Sequence, residues 1–404
     1  MKHLQQLSLF TAIQDTYKEA ANDGPISNAE LYGALIAKGA ISKDEINERV
    51  PVGQDGALHS VGARRVRWMQ QTMRTMGTLE RAEGLRGRWQ LTQGAKKELT
   101  VAPAGVAMLA FETKFGFAIW SDCRSLFSSL NEPVHLCLTS PPYALRKARA
   151  YGNPTEAEYV QFIVRSLEPI VKNLVDGGSI CLNISNDIFE EGLPSRSLIQ
   201  ERLILALHDL LGLKKMDALI WSNKSKAPGP YQWASRKRVQ LNVAWEPVLW
   251  MTNNPSQVRS DNRRILNPHT AKHQQLIDAG GERRTGVYSD GAYRIKPGSF
   301  GNQTEGSIQR NIIEVGHRCA RQNLVRRYQE QEGLPRHGAP MPYALADRLV
   351  RFLTEPGDLV VDPFGGSLTT GDAAEQNGRR WISTDTTLEY LQGGRVRFPG
   401  VAFA

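Results

Sequence analysis

The sequence predicts an α/β protein with a largely parallel sheet, preceded by a small helical unit. From residue 105 onward, short apolar runs alternate with segments of helical period, the pattern of strands joined by crossover helices. Two of those runs end directly in Pro- or Gly-rich corners, Ser140-Pro141-Pro142-Tyr143 and Asp362-Pro363-Phe364-Gly365-Gly366. A length of 404 residues suffices for two or three hydrophobic cores. With 41% hydrophobic and 23% charged residues, the composition is that of a soluble globular protein and not of a disordered chain. No apolar run approaches the roughly 18–20 residues of a membrane helix. Met1–Gln6 lacks the apolar stretch of a secretory signal. Cys123, Cys137, Cys181 and Cys319 are widely spaced, so neither a disulfide framework nor a metal site is expected, and a reducing cytoplasm fits.

In the first hundred residues, apolar positions at helical spacing run from Leu9 to Ala21. Ser27-Asn28-Ala29-Glu30 reads as a capping box opening a second helix that Gly39 closes, and Ser42-Lys43-Asp44-Glu45 repeats the start signal. A further helix is expected over Val61–Met76. Its apolar candidates are Val61, Trp68, Met69, Met73 and Met76, and its basic residues are Arg64, Arg65, Arg67 and Arg74. Leu79–Ala82 and Arg88–Leu91, flanking Gly84 and Gly87, predict a hairpin. Helices followed by a hairpin resemble a winged helix-turn-helix, which would present its last helix to a DNA major groove. A helical cap that only packs on the main domain is the alternative.

The α/β region opens with strands at Phe117–Ser121 and Val134–Thr139 around a helix near Arg124–Leu130. A helix over Glu156–Val175 is expected to end at Asp176-Gly177-Gly178, followed by a strand at Ser179–Ile184. A helix at Leu198–Leu211 and strands at Met216–Trp221 and Val243–Met251 come next. Residues 252–335 break the alternation and read as a functional insertion, too long for an ordinary connection. Strand Leu359–Val361, helix Thr369–Asn377 and strand Trp381–Ser383 resume it. Residues 224–340 carry 19 basic and 9 acidic groups, residues 1–100 carry 14 and 11, and the remainder is net acidic. Such a basic segment fits either a polyanion such as nucleic acid or a solvated surface. The division expected from these shifts is 1–104, 105–223, 224–335 and 336–404.

Both corners stand at the carboxyl ends of strands, where open α/β sheets bind ligands. Gly365 and Gly366 permit a tight turn with no side chain between backbone and ligand, and the helix after them offers free N–H groups. The residue after Gly371 is Asp372 and not Lys, so the segment is not a P-loop. Asp385, beyond the next strand, stands where an acid binds ribose hydroxyls. Together these features point to a nucleoside-bearing cofactor such as NAD or S-adenosylmethionine. In the other corner, Pro141 and Pro142 fix the backbone and leave nearby carbonyls as acceptors, Ser140 adds an oxygen, and Tyr143 adds an aromatic face. Acceptors beside a flat ring suit the exocyclic amine of a nucleobase, which favours S-adenosylmethionine. A rigid turn without chemistry is the plainer reading of a Pro-Pro pair.

Ser140-Pro141-Pro142-Tyr143 resembles the catalytic motif of the DNA amino-methyltransferases, and Asp362–Gly366 resembles their S-adenosylmethionine motif. The catalytic motif comes first, with a basic segment between, which is the order of the β class. The similarity is closest to the PvuII-type cytosine-N4 modification methyltransferases. It runs over residues 117–398, through Tyr151-Gly152-Asn153, Trp221-Ser222-Asn223-Lys224, Leu353–Asp358 and Trp381-Ile382-Ser383. The resemblance implies a Rossmann-like, S-adenosylmethionine-dependent sheet with a basic target-recognition insertion over 224–335. It places Asp362, Phe364, Gly365, Gly366, Ser367 and Thr369 at the cofactor, Asp385 on its ribose and Asp122 near its adenine. Pro340 would belong to a segment closing over the methionine part. His337 matches that segment as well as it matches a plain loop histidine, and Arg336–Pro342 is spaced differently from the family's pattern.

The implied chemistry is direct transfer to a flipped base. Ser140 Oγ and the Pro141 carbonyl would accept the two N–H bonds of the cytosine amine, with Pro142 stiffening the corner and Tyr143 stacking on the ring. A C5-cytosine enzyme would need a Cys after a Pro, and none of the four cysteines follows one. In the family, Ser at the first motif position goes with cytosine N4, and Asp or Asn with adenine N6. Adenine N6, an RNA or protein acceptor, and an inactive DNA-binding regulator are the alternatives. Arg64, Arg65, Arg67, Lys224, Arg236, Lys237 and Arg238 are the expected DNA contacts, chiefly to phosphate. The implied partner is double-stranded DNA in a prokaryotic cytoplasm, with a cognate restriction endonuclease or as an orphan methylase.

Overall fold

The computed structural model describes residues 5–20, 24–52, 56–76, 78–82, 84–85, 87–92, 100–144, 154–223 and 226–402. Lys224 and Tyr151-Gly152-Asn153 lie outside the described residues. The chain begins with β1 (Gln5–Gln6), α1 (Leu7–Glu19), β2 (Ile26–Ser27), α2 (Asn28–Ala37) and α3 (Lys43–Asn47). The hairpin β3 (Arg49–Val52)–β4 (Ala57–Ser60) leads to α4 (Val61–Thr75), which is followed by the hairpin β5 (Leu79–Arg81)–β6 (Arg88–Leu91). Both capping boxes form: Ser27 and Ser42 accept from the amides of Glu30 and Glu45, whose carboxylates accept the serine amides in return. β2 adds to β6, completing a three-stranded sheet.

In α4, Val66, Met69 and Met73 are buried in the core that Leu9, Phe10 and Ile13 of α1 also enter. Trp68, expected in that core, is 40% exposed. At 100° per residue it shares a face with the exposed Arg64, Gln71 and Thr75, opposite the buried Val66 and Met73. The first helices also pack onto the main sheet, with the Phe10 and Trp120 rings 4.9 Å apart.

The main domain runs β7 (Ala107–Glu112), β8 (Gly116–Ser121), α5 (Cys123–Phe127), β9 (Val134–Thr139), α6 (Glu156–Lys172), β10 (Leu174–Asn183), α7 (Ile199–Leu211), β11 (Lys214–Ser222) and β12 (Trp245–Thr252). Then come α8 (Ala271–Asp278), β13 (Gly286–Tyr288), β14 (Tyr293–Ile295), β15 (Ile312–Glu314) and α9 (Ala320–Gln331). The chain closes with α10 (Tyr343–Leu353), β16 (Leu359–Asp362), α11 (Thr369–Gln376), β17 (Arg380–Asp385) and α12 (Leu388–Gly394). Ten strands form one sheet in the order β1-β7-β8-β17-β16-β9-β10-β12-β11-β15. Its centre, β8 to β10, is parallel. The sheet as a whole is mixed, because β7 runs against β8, and β12 runs against both β10 and β11. The tight turn Thr113–Phe115 forces the first reversal, since only antiparallel neighbours can be joined so briefly. Helices α5, α6 and α7 cover one face, and α10 and α11 the other.

Two boundaries differ from the sequence expectation. Helix α6 stops at Lys172, and Asp176-Gly177-Gly178 lies inside β10, where the pairing with β9 shifts register between Leu174 and Ser179. Gly177 sits at φ +72° with its Cα against the backbone of Gln257, 1.7 Å from where a Cβ would be, so glycine serves a close approach and not a helix stop. Residues 224–335 are not a contiguous unit outside the sheet. β12 runs between β10 and β11, and β15 forms the far edge. The strand expected at Val243–Met251 forms as β12, but an apolar run has no direction, so pattern alone could not show that it runs antiparallel between β10 and β11. Among the described residues, no helix is long and apolar enough to cross a membrane, and no cluster of three His, Cys, Asp or Glu side chains could hold a metal.

Candidate active site

Strands β9 and β16 lie side by side, Cys137 against Val361, so the two corners leave the same end of the sheet. Their last residues are bonded to each other: Thr139 Oγ1 donates to Asp362 Oδ1 at 2.6 Å. The Phe364 amide donates to the same oxygen at 3.1 Å. Burial pushes the Asp362 carboxyl up to about 6 despite these donors. Asp362 therefore ties the corners together from beneath and does not line the space between them.

That space is a cavity of about 360 Å³. Ser140, Pro141, Pro142 and Tyr143 form one wall, and Pro363 and Phe364 form another. Asp122 enters from the N-cap of α5 and Asp385 from the end of β17. Asp385 accepts the amide of Gly366 at 2.8 Å and that of Thr387 at 2.7 Å. Burial outweighs both donors and pushes its carboxyl up to about 6. Asp122 faces the same cavity in another electrostatic state. Burial opposes its charge, but Arg124 donates its amide and guanidinium at 2.6 to 3.0 Å and holds the carboxyl below the usual range.

The glycine turn is shaped by contact as well as by backbone conformation. Gly366 has φ +49°, and a Cβ there would stand 2.9 Å from His337 Nε2. His337 also lines the cavity, its ring edge-on to Tyr390 with centroids 4.8 Å apart. Ser367 and Thr369, expected at the cofactor, are buried behind the turn. Arg397 Nε donates to the Ser367 carbonyl at 2.7 Å, and its Nη2 donates to Thr369 Oγ1 at 3.2 Å. Arg397 is itself buried against Asp372, which Arg321 also contacts. These residues support the turn's shape from below. Phe162, Tyr390 and Cys123 also line the cavity; the two aromatics had no sequence signal, since an aromatic at helical spacing reads as core. Phe162 packs on Phe364 with ring centroids 5.6 Å apart. Burial pushes the Cys123 thiol up to about 12, so it is no nucleophile.

A second cavity of about 750 Å³ adjoins the first, and Tyr143 lines both. Pro340, expected over the methionine part of a cofactor, lines this second space instead, with Asn183, Trp221, Glu246 and His317. Tyr143 Oη lies 3.2 Å from Ser140 Oγ and donates to Glu246 Oε2 at 3.2 Å. Lys226 Nζ stands 3.0 Å from Glu246 Oε1. His317 stacks on Trp221 at 5.9 Å.

Residues 226–244 connect β11 to β12, and Ser222 pairs with Trp245, so this loop rises from the corner end of the sheet. It carries Arg236, Lys237 and Arg238, all exposed and none lining the second cavity. Arg64 and Arg67 are exposed on α4, whereas Arg65 is paired with Glu45 at 2.6 Å. None of these basic residues lines the first cavity.

An acceptor carboxylate beside a glycine turn, aromatic faces and a volume within the usual range of ligand pockets all fit an adenosine-bearing sulfonium cofactor. The DNA methylase family profile N6_N4_Mtase matches residues 134–395. The type II methyltransferase M.PvuII of Proteus hauseri is 30% identical over 290 residues, covering 72% of this chain and 85% of that protein. The solved structure of PvuII DNA methyltransferase (cytosine-N4-specific) aligns with a TM-score of 0.56 at 27% identity, covering 72% of this chain and 88% of that one. The DNA adenine methyltransferase YhdJ of Escherichia coli (strain K12) is 41% identical over 61 residues, 15% of this chain and 21% of that protein. With its two corners joined over a shared cavity, the chain belongs to the N6/N4 DNA methylase family, enzymes that methylate base amino groups with S-adenosylmethionine.

Proposed function

We propose that this protein methylates cytosine N4 within a short duplex DNA sequence. The observation that carries this reading is Ser140: a neutral hydroxyl, and neither Asp nor Asn, opens the corner that faces Asp385 and the glycine turn across one cavity. The cytosine-N4-specific enzyme that the fold resembles supports it. When bound, S-adenosylmethionine supplies an electrophilic methyl group on sulfur. Asp385 holds the ribose, Phe364 packs on the cofactor, and the Gly366 turn keeps side chains out of its way. Ser140 Oγ and the Pro141 carbonyl accept the amine's two N–H bonds, turning the nitrogen lone pair out of ring conjugation. Orientation and fixed acceptors supply the acceleration. Cys123, buried as a neutral thiol, offers no covalent route through the base.

The target base reaches Tyr143 by rotating out of the duplex, and Arg236, Lys237 and Arg238 hold flanking phosphates. The N-terminal unit acts as a winged helix whose α4 presents Arg64, Arg67 and Arg74 to DNA. A helix, α4, followed directly by the β5–β6 hairpin that β2 completes into a three-stranded sheet, with that helix face left exposed, supports this. The setting is a bacterial cytoplasm, beside a cognate restriction endonuclease or as a solitary methylase. Mass-spectrometric mapping of DNA from an expressing strain tests the base assignment, with 4-methylcytosine expected. The second reading is adenine N6, favoured by the similarity to YhdJ, and N6-methyladenine would establish it.

A further inference from the structure

The hydrogen bonds between the two cavities have a fixed direction. Glu246, at the start of β12, is a carboxylate paired with Lys226, and a carboxylate accepts hydrogen bonds without donating. Tyr143 Oη therefore gives its one hydrogen to Glu246 Oε2, 3.2 Å away. Having spent that hydrogen, Tyr143 can meet Ser140 only as an acceptor, so Ser140 Oγ–H, at 3.2 Å, points toward Tyr143. This leaves the lone pairs of Ser140 Oγ directed away from Tyr143, open to an N–H in the first cavity. If the chain ran the other way, Ser140 would present a hydrogen to the amine, donor against donor.

We propose that Glu246, held by Lys226, is a positioning residue for methyl transfer: acting through Tyr143, it sets Ser140 as a hydrogen-bond acceptor. The inference rests on the reading of Ser140 as the amine's acceptor. Neither Glu246 nor Lys226 lies in the two corners; β12, lying antiparallel beside β10, carries Glu246 to the site. The side chain of Glu246 is 15% exposed and that of Lys226 is 27% exposed, so the pair is largely shielded from solvent at the cavity wall. Hydrogen bonds polarised by a charged end are stronger than neutral ones, which makes this orientation persistent.

The test is Glu246→Gln, which keeps the shape but allows a donor at that end of the chain. Transfer of labelled methyl groups from S-adenosylmethionine to duplex DNA, together with cofactor binding by calorimetry, separates orientation from folding. The expected result is a kcat lowered about 10- to 100-fold with cofactor affinity unchanged. Tyr143→Phe should lower kcat as well, and the double variant should fall little further, since both break one chain. A Glu246→Gln enzyme within about twofold of wild-type kcat, or losses that add in the double variant, would overturn the proposal. Ser140→Ala in the same assay tests the underlying reading. A Ser140→Ala enzyme as active as wild type removes both, and a Ser140→Ala enzyme of low kcat beside an unaffected Glu246→Gln removes this inference alone.

Discussion

The first cavity, about 360 Å³, is gathered around the two backbone corners at the strand ends, whereas the adjoining one, about 750 Å³, holds the Glu246–Lys226 ion pair among amide and aromatic side chains. In the first, the Gly366 amide is fixed by Asp385, and Asp362 locks the two corners through Thr139. In the second, Trp221 and Glu246 are cross-strand partners on β11 and β12, and Lys226 and His317 join them through side chains, Lys226 on Glu246 and His317 on Trp221. That contrast decides where each kind of substitution should act. The backbone-built space responds to changes of conformation, and the side-chain-built space to changes of chemistry. At the junction, Tyr143 lines both, and Ser140, in the first, reaches the second only through its 3.2 Å contact with the Tyr143 hydroxyl.

The strongest response is expected at that junction. Ser140→Ala removes an acceptor used at the transition state and should lower kcat by about 100-fold or more, leaving cofactor affinity intact in calorimetry. Equal falls in both would mean that Ser140 shapes the first cavity and does not bridge the two. Next comes Asp385→Ala, which should weaken S-adenosylmethionine binding about 10- to 100-fold by removing charged hydrogen bonds. The same carboxylate gives a pH signature. Its folded pKa is raised to about 6, so cofactor affinity should decline as pH falls through about 6 and the carboxylate is protonated. Asp385→Asn should flatten that limb. The ligand-free protein should behave oppositely in thermal melts. A raised carboxyl pKa stabilises the fold below the ordinary carboxylate range, and this contribution disappears as pH rises through about 6.

Gly366→Ala places a Cβ at φ +49° beside His337 and should cost the cofactor about tenfold in affinity without touching DNA binding. A fall in DNA binding instead would break the division between the two cavities. The weakest response belongs to the rim. Replacing Arg236, Lys237 and Arg238 with Ala should weaken DNA binding by less than about tenfold at moderate salt. The slope of log affinity against log salt should become shallower by about one for each phosphate no longer neutralised, measured by titration over a salt series. Unchanged slopes would confine these residues to the solvated surface.

The features legible in the amino-acid order alone are local ones. The capping boxes at Ser27 and Ser42, the hairpin around Gly84 and the two corners each depend on residues a few positions apart, so their signatures sit in contiguous letters. Trp68, expected in the core by its apolar character, is 40% exposed, and the helical period that groups it with Arg64 and Gln71 was the signal for that. The strands and helices of the α/β region were legible from their alternation as well, but which of them pair, and which side chains meet, came from packing in three dimensions. An apolar strand carries no direction, so only pairing reveals that β12 runs backward and brings Glu246 to Tyr143, 103 residues away. Burial alone made Arg397 the support of the glycine turn and placed Ser367 and Thr369 behind it, because the turn's motif says which backbone bends and not which side chains face the ligand. Thr139 meets Asp362 across 223 residues for the same reason: chain separation is written in the letters, whereas proximity comes from the packing of strands with one another.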